Sequence, residues 1–224
     1  MRCILATNKP WHHELFNALS HSGTHEWIRV FERHELSYEH LQSIKPDWIF
    51  IPHWSDIIPS SVYENYTCVV FHMTDLPFGR GGSPLQNLIV RGCNETKISA
   101  IKVGKGLDTG DIYLKKTLGL KGTAEEIFIR SSSVIHEMII EILTKNPIPV
   151  PQKGEVTLFH RRKPEEGNLK GVKLPVEIYD HIRMLQCEGY PNAFLETDYF
   201  KFEFYNAELS ADNSILANVR IVKK

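Results

Sequence analysis

A protein can place a base where a histidine leaves a buried strand and enters a loop rich in glycine and proline. Residues 71–84 read Phe-His-Met-Thr-Asp-Leu-Pro-Phe-Gly-Arg-Gly-Gly-Ser-Pro and follow the apolar run Cys68-Val-Val. Open α/β sheets bind ligands outside the carboxyl ends of their parallel strands, and this order puts His72 at such an end. Histidine ionises nearest neutral pH of all side chains, which suits a general base. The bland alternative is a core histidine bonded to a backbone carbonyl. A second segment, Gly104-Lys-Gly-Leu-Asp-Thr-Gly-Asp111, holds two carboxylates in a flexible turn. Glycine permits close backbone approach there, and Asp108 can aim at His72 and hold one imidazole tautomer. Taken alone, the same segment is also what a plain hairpin turn looks like. A third, Pro52-His-Trp-Ser-Asp-Ile-Ile-Pro59, follows a strand, and its backbone amides and carbonyls can frame a flat heterocycle.

Positioning these residues needs a sheet. The first half alternates β-rich runs (2–7, 26–31, 47–52, 67–72) with helical runs (11–21, 38–44, 83–91), the pattern of parallel strands with crossover helices. Ser83, Pro84 and Gln86 predict a capped start for the last of these helices, and Gly92 its end. Strands at 96–102 and 111–118 flank the glycine turn. Thr123 and Glu126 form a capping box opening a helix to Lys145, with Ile127, Val134, Met138 and Ile142 on its apolar face. Asn146-Pro-Ile-Pro-Val-Pro151 cannot be helical and reads as an extended linker. The reading is therefore an α/β domain over 1–150 and a small α+β domain over 151–224. The second holds a strand at 156–160, a helix at 175–187 and strands at 199–209 and 216–222. Phe200, Phe202 and Phe204 share one strand face and are expected in its core.

Composition narrows the function classes. The chain has 26 Lys and Arg against 27 Asp and Glu, net −1, so no overall field favours a nucleic acid backbone. Cys3, Cys68, Cys93 and Cys187 lie at no metal-ligand spacing and are expected to be buried reduced thiols. The N-terminal apolar run is too short for a signal or membrane segment, which gives a cytoplasmic expectation with no membrane partner.

In this order the three segments resemble the folate-dependent formyltransferase family. Its signature is Asn-x-His-x-Ser-x-Leu-Pro, then Arg-Gly and a helix-opening Pro, then Leu-Asp-x-Gly. The chain matches at His72, Leu76, Pro77, Arg80, Gly81, Pro84, Leu107, Asp108 and Gly110, with Thr74 in place of Ser. Downstream, residues 159–166 and 189–194 look like the Arg-Arg-x-Pro-Glu-Asp and Tyr-Pro-Gly-Ala-Phe elements of members with a short C-terminal domain. The resemblance implies a Rossmann-like, mostly parallel sheet and 10-formyltetrahydrofolate as formyl donor, with no metal. His72 would be the base and Asp108 its support. His53, Trp54, Ser55, Ile57, Ile58, Lys105, Gly106 and Leu107 would hold the pterin.

The family's asparagine two residues before the histidine aligns with Val70, which can donate nothing to a formyl oxygen. Thr74, Asn87 or a backbone amide are the nominated substitutes. Losing one oxyanion donor can cost about 2.7–4 kcal/mol, so a non-catalytic folate or nucleotide-sugar binder stays open. For the acceptor, the short C-terminal domain and neutral charge argue against tRNA, and the Ala6–Trp11 loop lacks the glycines expected for glycinamide ribonucleotide. The expectation is therefore a nucleotide-linked amino sugar, specifically UDP-4-amino-4,6-dideoxy-N-acetyl-L-altrosamine, with no nucleic acid partner. Asn8, Lys9, Arg80, Gly81, Gly82, Arg161 and Arg162 would bind this substrate, with Lys9, Arg80 and Arg161 or Arg162 as the cations for its diphosphate. Methionyl-tRNA or glycinamide ribonucleotide formylation is the alternative, and a homodimer is the assembly considered.

Overall fold

A computed structural model describes all 224 residues. Its strands are β1 (Arg2–Ala6), β2 (Glu26–Val30), β3 (Trp48–Pro52), β4 (Cys68–His72), β5 (Arg80–Gly81), β6 (Glu95–Lys102), β7 (Ile112–Gly119), β8 (Leu158–Phe159), β9 (Ala193–Glu196), β10 (Phe200–Leu209) and β11 (Ile215–Lys223). Its helices are α1 (His13–His21), α2 (Tyr38–Ile44), α3 (Ser60–Tyr63), α4 (Pro84–Ile89), α5 (Ala124–Lys145) and α6 (Pro175–Arg183). The chain forms two compact units, each assembled from separate stretches. The first is Met1–Gly81, Thr96–Leu118 and Ile129–Leu158; the second is Gly82–Glu95, Gly119–Phe128 and Phe159–Lys224.

The first unit carries the expected mostly parallel sheet, in the order β2-β1-β3-β4-β6-β7. β2, β1, β3 and β4 run parallel, and β6 returns antiparallel to β4. Ile4, Ala6, Val30, Ile49, Ile51 and Cys68 from the strands form one buried cluster with Leu41 of α2 and Val62 of α3. Buried side chains of this size contribute about 1.5–3 kcal/mol each, which fixes the strand ends that carry the site. In the register, Ile51 lies beside Val70 and Pro52 beside Phe71, so His53 and His72 leave neighbouring strands at the same level. Burial pushes the Cys3 thiol up to about 11 and that of Cys68 to about 12. Cys93 departs from the expectation by being half-buried.

Helix ends follow local chemistry. Ser37 Oγ accepts from the His40 N–H, and Lys45 closes α2 in the left-handed region at φ 52°. The Thr123–Glu126 box forms as expected: the Thr123 N–H donates to Glu126 at 2.8 Å and the Glu126 N–H to Thr123 Oγ1 at 3.3 Å. The box expected at α4 does not form. Ser83 takes a left-handed conformation at φ 49°, its hydroxyl accepts from the Arg162 N–H, and Gln86 donates instead to the Met184 carbonyl. The proline stretch is no free linker, because Val150 and Ile112 exchange backbone hydrogen bonds of 2.8 and 2.9 Å.

In the second unit β9, β10 and β11 form an antiparallel sheet, and residues Leu85 to Ile89 of α4 are all buried. Arg183 is buried and satisfied: its Nη1 donates to the Leu120 and Gly122 carbonyls, and its Nε to Asp180. The Phe200, Phe202, Phe204 face is not core. Phe200 is 43% exposed and the other two are half-buried, because their cross-strand neighbours Ile221 and Val219 are themselves exposed. No helix is long and apolar enough to cross a membrane.

Candidate active site

His72 ends β4 at 8% exposure. Its Nε2 lies 2.7 Å from the Gly79 carbonyl oxygen, and its Nδ1 lies 3.6 Å from Asp108 Oδ2. A carbonyl oxygen only accepts, so Nε2 carries the hydrogen and the lone pair of the neutral ring is at Nδ1. The sequence assigns tautomer selection to Asp108; the structure gives that task to Gly79. Asp108 faces the ring nitrogen that carries no hydrogen. His72 is thus a carbonyl-bonded histidine that also faces a carboxylate.

Asp108 is placed by its surroundings. It sits in the left-handed region at φ 53°, which Asp tolerates better than most residues. The Gly81 N–H donates to its Oδ2 at 2.9 Å. Gly110 closes the turn against β6, where a Cβ would collide with the Lys102 carbonyl oxygen. Sequence reasoning missed Gln152, which lies just past the proline stretch. Its Nε2 donates to the Asp108 and Gly110 carbonyls at 2.8 and 2.9 Å, and its Oε1 accepts from Arg80 Nε and Nη2 at 3.1 and 2.7 Å. The signal available was a lone amide after prolines that fix the backbone.

A second histidine cluster, also missed in part, lies at the ends of β1 and β3. Trp11 Nε1 donates to His53 Nδ1 at 3.0 Å, His12 Nε2 lies 2.8 Å from the same atom, and His12 Nδ1 lies 2.9 Å from Ser132 Oγ. The indole can only donate, so His53 Nδ1 is an acceptor and its Nε2–H points to the Met73 sulfur at 3.0 Å. Burial pushes the His53 imidazole down to about 3, with Lys9 and His72 adding repulsion. Burial, then His53, Arg29 and Lys9, hold His12 well below the usual histidine range.

The other nominated residues divide. On the loop after β3, Trp54 and Ile58 pack onto the core, Ser55 is exposed and Ile57 is 89% exposed. On the turn before β7, Lys105 and Gly106 are exposed and Leu107 is 71% exposed. Ile57 and Leu107 are therefore exposed aliphatic side chains on loops at one end of the sheet. Neither side chain nominated to replace the asparagine is available. Thr74 is fully buried with its hydroxyl on the Gly79 carbonyl, and Asn87 donates to the Gly82, Ser83 and His160 carbonyls. Val70 packs against Leu76, Ile101 and Ile112, which explains a valine there as sheet filling.

The expected substrate-binding set is also largely committed. Arg80 is held by Gln152, and Gly81 by Asp108. At Gly82 a Cβ would stand 2.7 Å from Arg161 Cβ, so this glycine is required by packing. Arg162 donates to the Glu166 carbonyl and pairs with its carboxylate, which backbone hydrogen bonding to Lys163 first, then His160 and Arg162, hold below the usual range. Asn8 is exposed, and the Lys9 ammonium lies 5.9 Å from the Trp11 ring centroid.

Comparison with known proteins gives two family matches: "Formyl transferase" over residues 13–143, and "Methionyl-tRNA formyltransferase, C-terminal domain" over 164–222. Among solved structures, a methionyl-tRNA formyltransferase from Clostridium thermocellum is 49% identical, with a TM-score of 0.97 and full coverage of both chains. A sugar N-formyltransferase from a Shewanella species shares the fold at 13% identity and a TM-score of 0.68, covering 97% of this chain and 96% of its own. The methionyl-tRNA formyltransferase of Rickettsia massiliae is 27% identical over 85% of this chain and 71% of its own length; that of Rickettsia felis is matched over 61% of its length. These matches overturn the expectation of a nucleotide-linked amino sugar as acceptor and of no nucleic acid partner. The physical error lay in the charge argument, because a net charge of −1 averages over the chain and says nothing of its local distribution.

Proposed function

The chain belongs to the formyl transferase family, and on that footing we propose that it moves a formyl group from 10-formyltetrahydrofolate to the α-amine of methionyl-tRNA. The observation that carries the acceptor is the 49% identity, over both full chains, to a protein described as a methionyl-tRNA formyltransferase. The match of residues 164–222 to a C-terminal domain of that name supports the same reading.

The folate supplies a formyl carbon open to attack by an amine, and the Ile57 and Leu107 loops are the surfaces for its ring. The amine attacks only when neutral. His72 Nδ1 holds the lone pair that removes its proton, while Gly79 keeps the ring from turning. Asp108 at 3.6 Å stabilises the proton at Nδ1 until it is returned to the departing nitrogen. The buried position of His72 limits competing water.

The test is a formylation assay with initiator methionyl-tRNA and 10-formyltetrahydrofolate. Formyl-methionine on the tRNA is expected from the wild-type chain and not from His72→Ala. No product, under conditions where an authentic methionyl-tRNA formyltransferase is active, overturns the acceptor assignment.

A further inference from the structure

We propose that Gln152 is a positioning residue that sets the distance between the Asp108 carboxylate and His72. The inference rests on the function proposed above only for its kinetic readout.

Asp108 is fixed to the β5 strand on one side alone, through the Gly81 N–H to its Oδ2. A carboxylate on a glycine-rich turn needs its backbone held as well, because a 3.6 Å gap to His72 Nδ1 lengthens with any swing of that turn. Gln152 supplies the backbone hold. One amide nitrogen spans two carbonyls of the turn, those of Asp108 and Gly110, at 2.8 and 2.9 Å. Both hydrogens of the NH2 group are thereby used, and the amide oxygen is used twice by Arg80. Arg80 in turn is tied at its own N–H to the Thr157 carbonyl at 2.9 Å. Gly81, the next residue, is the one that donates to the Asp108 carboxylate.

A closed ring results: Asp108 side chain, Gly81, Arg80, Gln152 and back to the Asp108 carbonyl. Its members come from three separate stretches of the first unit, around residues 80, 108 and 152. The prolines at 147, 149 and 151 fix the backbone that carries Gln152, so its amide is held with little freedom to follow the turn. No other amide in the site spans two carbonyls of the turn and a guanidinium together. Glutamate at this position could accept from Arg80 but could not donate to either carbonyl, so the chemistry asks for an amide.

Four variants test this: Gln152→Ala, Gln152→Met, Asp108→Asn and the Asp108→Asn/Gln152→Ala double, each with kinetics and with backbone amide exchange at Gly81. Losing Gln152 is expected to lower kcat on the order of 10- to 100-fold, the size of effect that a displacement near 1 Å produces, with KM for both substrates within about threefold. Gly81, which reports the hold on the Asp108 carboxylate, is expected to exchange faster in both Gln152 variants. The double variant is expected to be no slower than Asp108→Asn alone, because Gln152 acts only through Asp108. Gln152→Met keeps the length of the side chain and serves if Gln152→Ala does not fold. A kcat within twofold of wild type, multiplied losses in the double variant, or unchanged exchange at Gly81 each overturns the assignment. If the wild-type chain forms no formyl-methionyl-tRNA, the acceptor reading falls, and the Gly81 exchange still decides the role of Gln152.

Discussion

Two histidine clusters stand side by side at the ends of β3 and β4, and they are built on opposite principles. His72 faces a carboxylate across 3.6 Å on its Nδ1 side and is held on its Nε2 side by the Gly79 carbonyl. His12 and His53 face each other, and around them stand the Trp11 indole N–H, the Ser132 hydroxyl and the Met73 sulfur. The first ring faces a negative group, whereas burial and neighbouring positive groups oppose a proton on either ring of the second cluster. A histidine's role is therefore read from the sign of its neighbours, more than from its burial.

The largest break in this comparison is His72→Ala, which should cut kcat about 10²- to 10⁴-fold while KM for the folate changes little. Steady-state formylation kinetics check it; near wild-type kcat would remove His72 as the base. Asp108→Asn should cost less, on the order of 10²- to 10³-fold, because Gly79 still holds the tautomer and only the stabilisation of the imidazolium is lost. If it cost as much as His72→Ala, tautomer selection would belong to Asp108 after all.

The second cluster should show itself in stability. His53 is held near 3 against an ordinary value of 6.5, so between those values the unfolded chain binds more protons and stability falls as pH falls. The limiting slope is about 1.4 kcal/mol per pH unit for each such histidine. Urea unfolding at pH 7.5 and 5.0 measures it, and His53→Gln should flatten the dependence. An equal slope in that variant would place the acid sensitivity elsewhere. The smallest effect should come from Thr74→Val: a stability loss of about 1 kcal/mol at most and an unchanged kcat, since the hydroxyl serves only a long contact to the Gly79 carbonyl. A clear fall in kcat would return Thr74 to the reaction.

The strands, the Thr123 capping box and the pairing of His72 with Asp108 were legible in the sequence because each is a local pattern: a β-branched run, a fixed spacing, a motif in order. What was not legible depends on long-range partners. Ser83 and Gln86 have the right spacing for a cap, yet Arg162 and Met184 claim their side chains. Thr74 and Asn87 have the right chemistry for an oxyanion donor, yet backbone carbonyls claim both. Gln152 has no motif, and its importance exists only where residues 80 and 108 meet it. The strand at Ala193–Glu196 was missed because its exposed half breaks the alternation expected of a strand. The arginines nominated for a ligand were read from their charge and their place in motifs, neither of which shows that Glu166 already pairs with Arg162.

The interleaving of the two units sets an order on synthesis. The first unit has all its stretches once residue 158 has left the ribosome, whereas the second waits for residues 159 to 224 although it owns 82–95 and 119–128. For that interval the α4 helix, buried from Leu85 to Ile89 in the finished fold, has been made without Met184, whose carbonyl accepts from Gln86, and without His160, whose carbonyl accepts from Asn87. At about 5–20 residues per second the wait lasts several seconds, long enough for a chaperone to engage an apolar helix. His72 and Asp108 belong to the first unit, so their stretches are complete before those of the second.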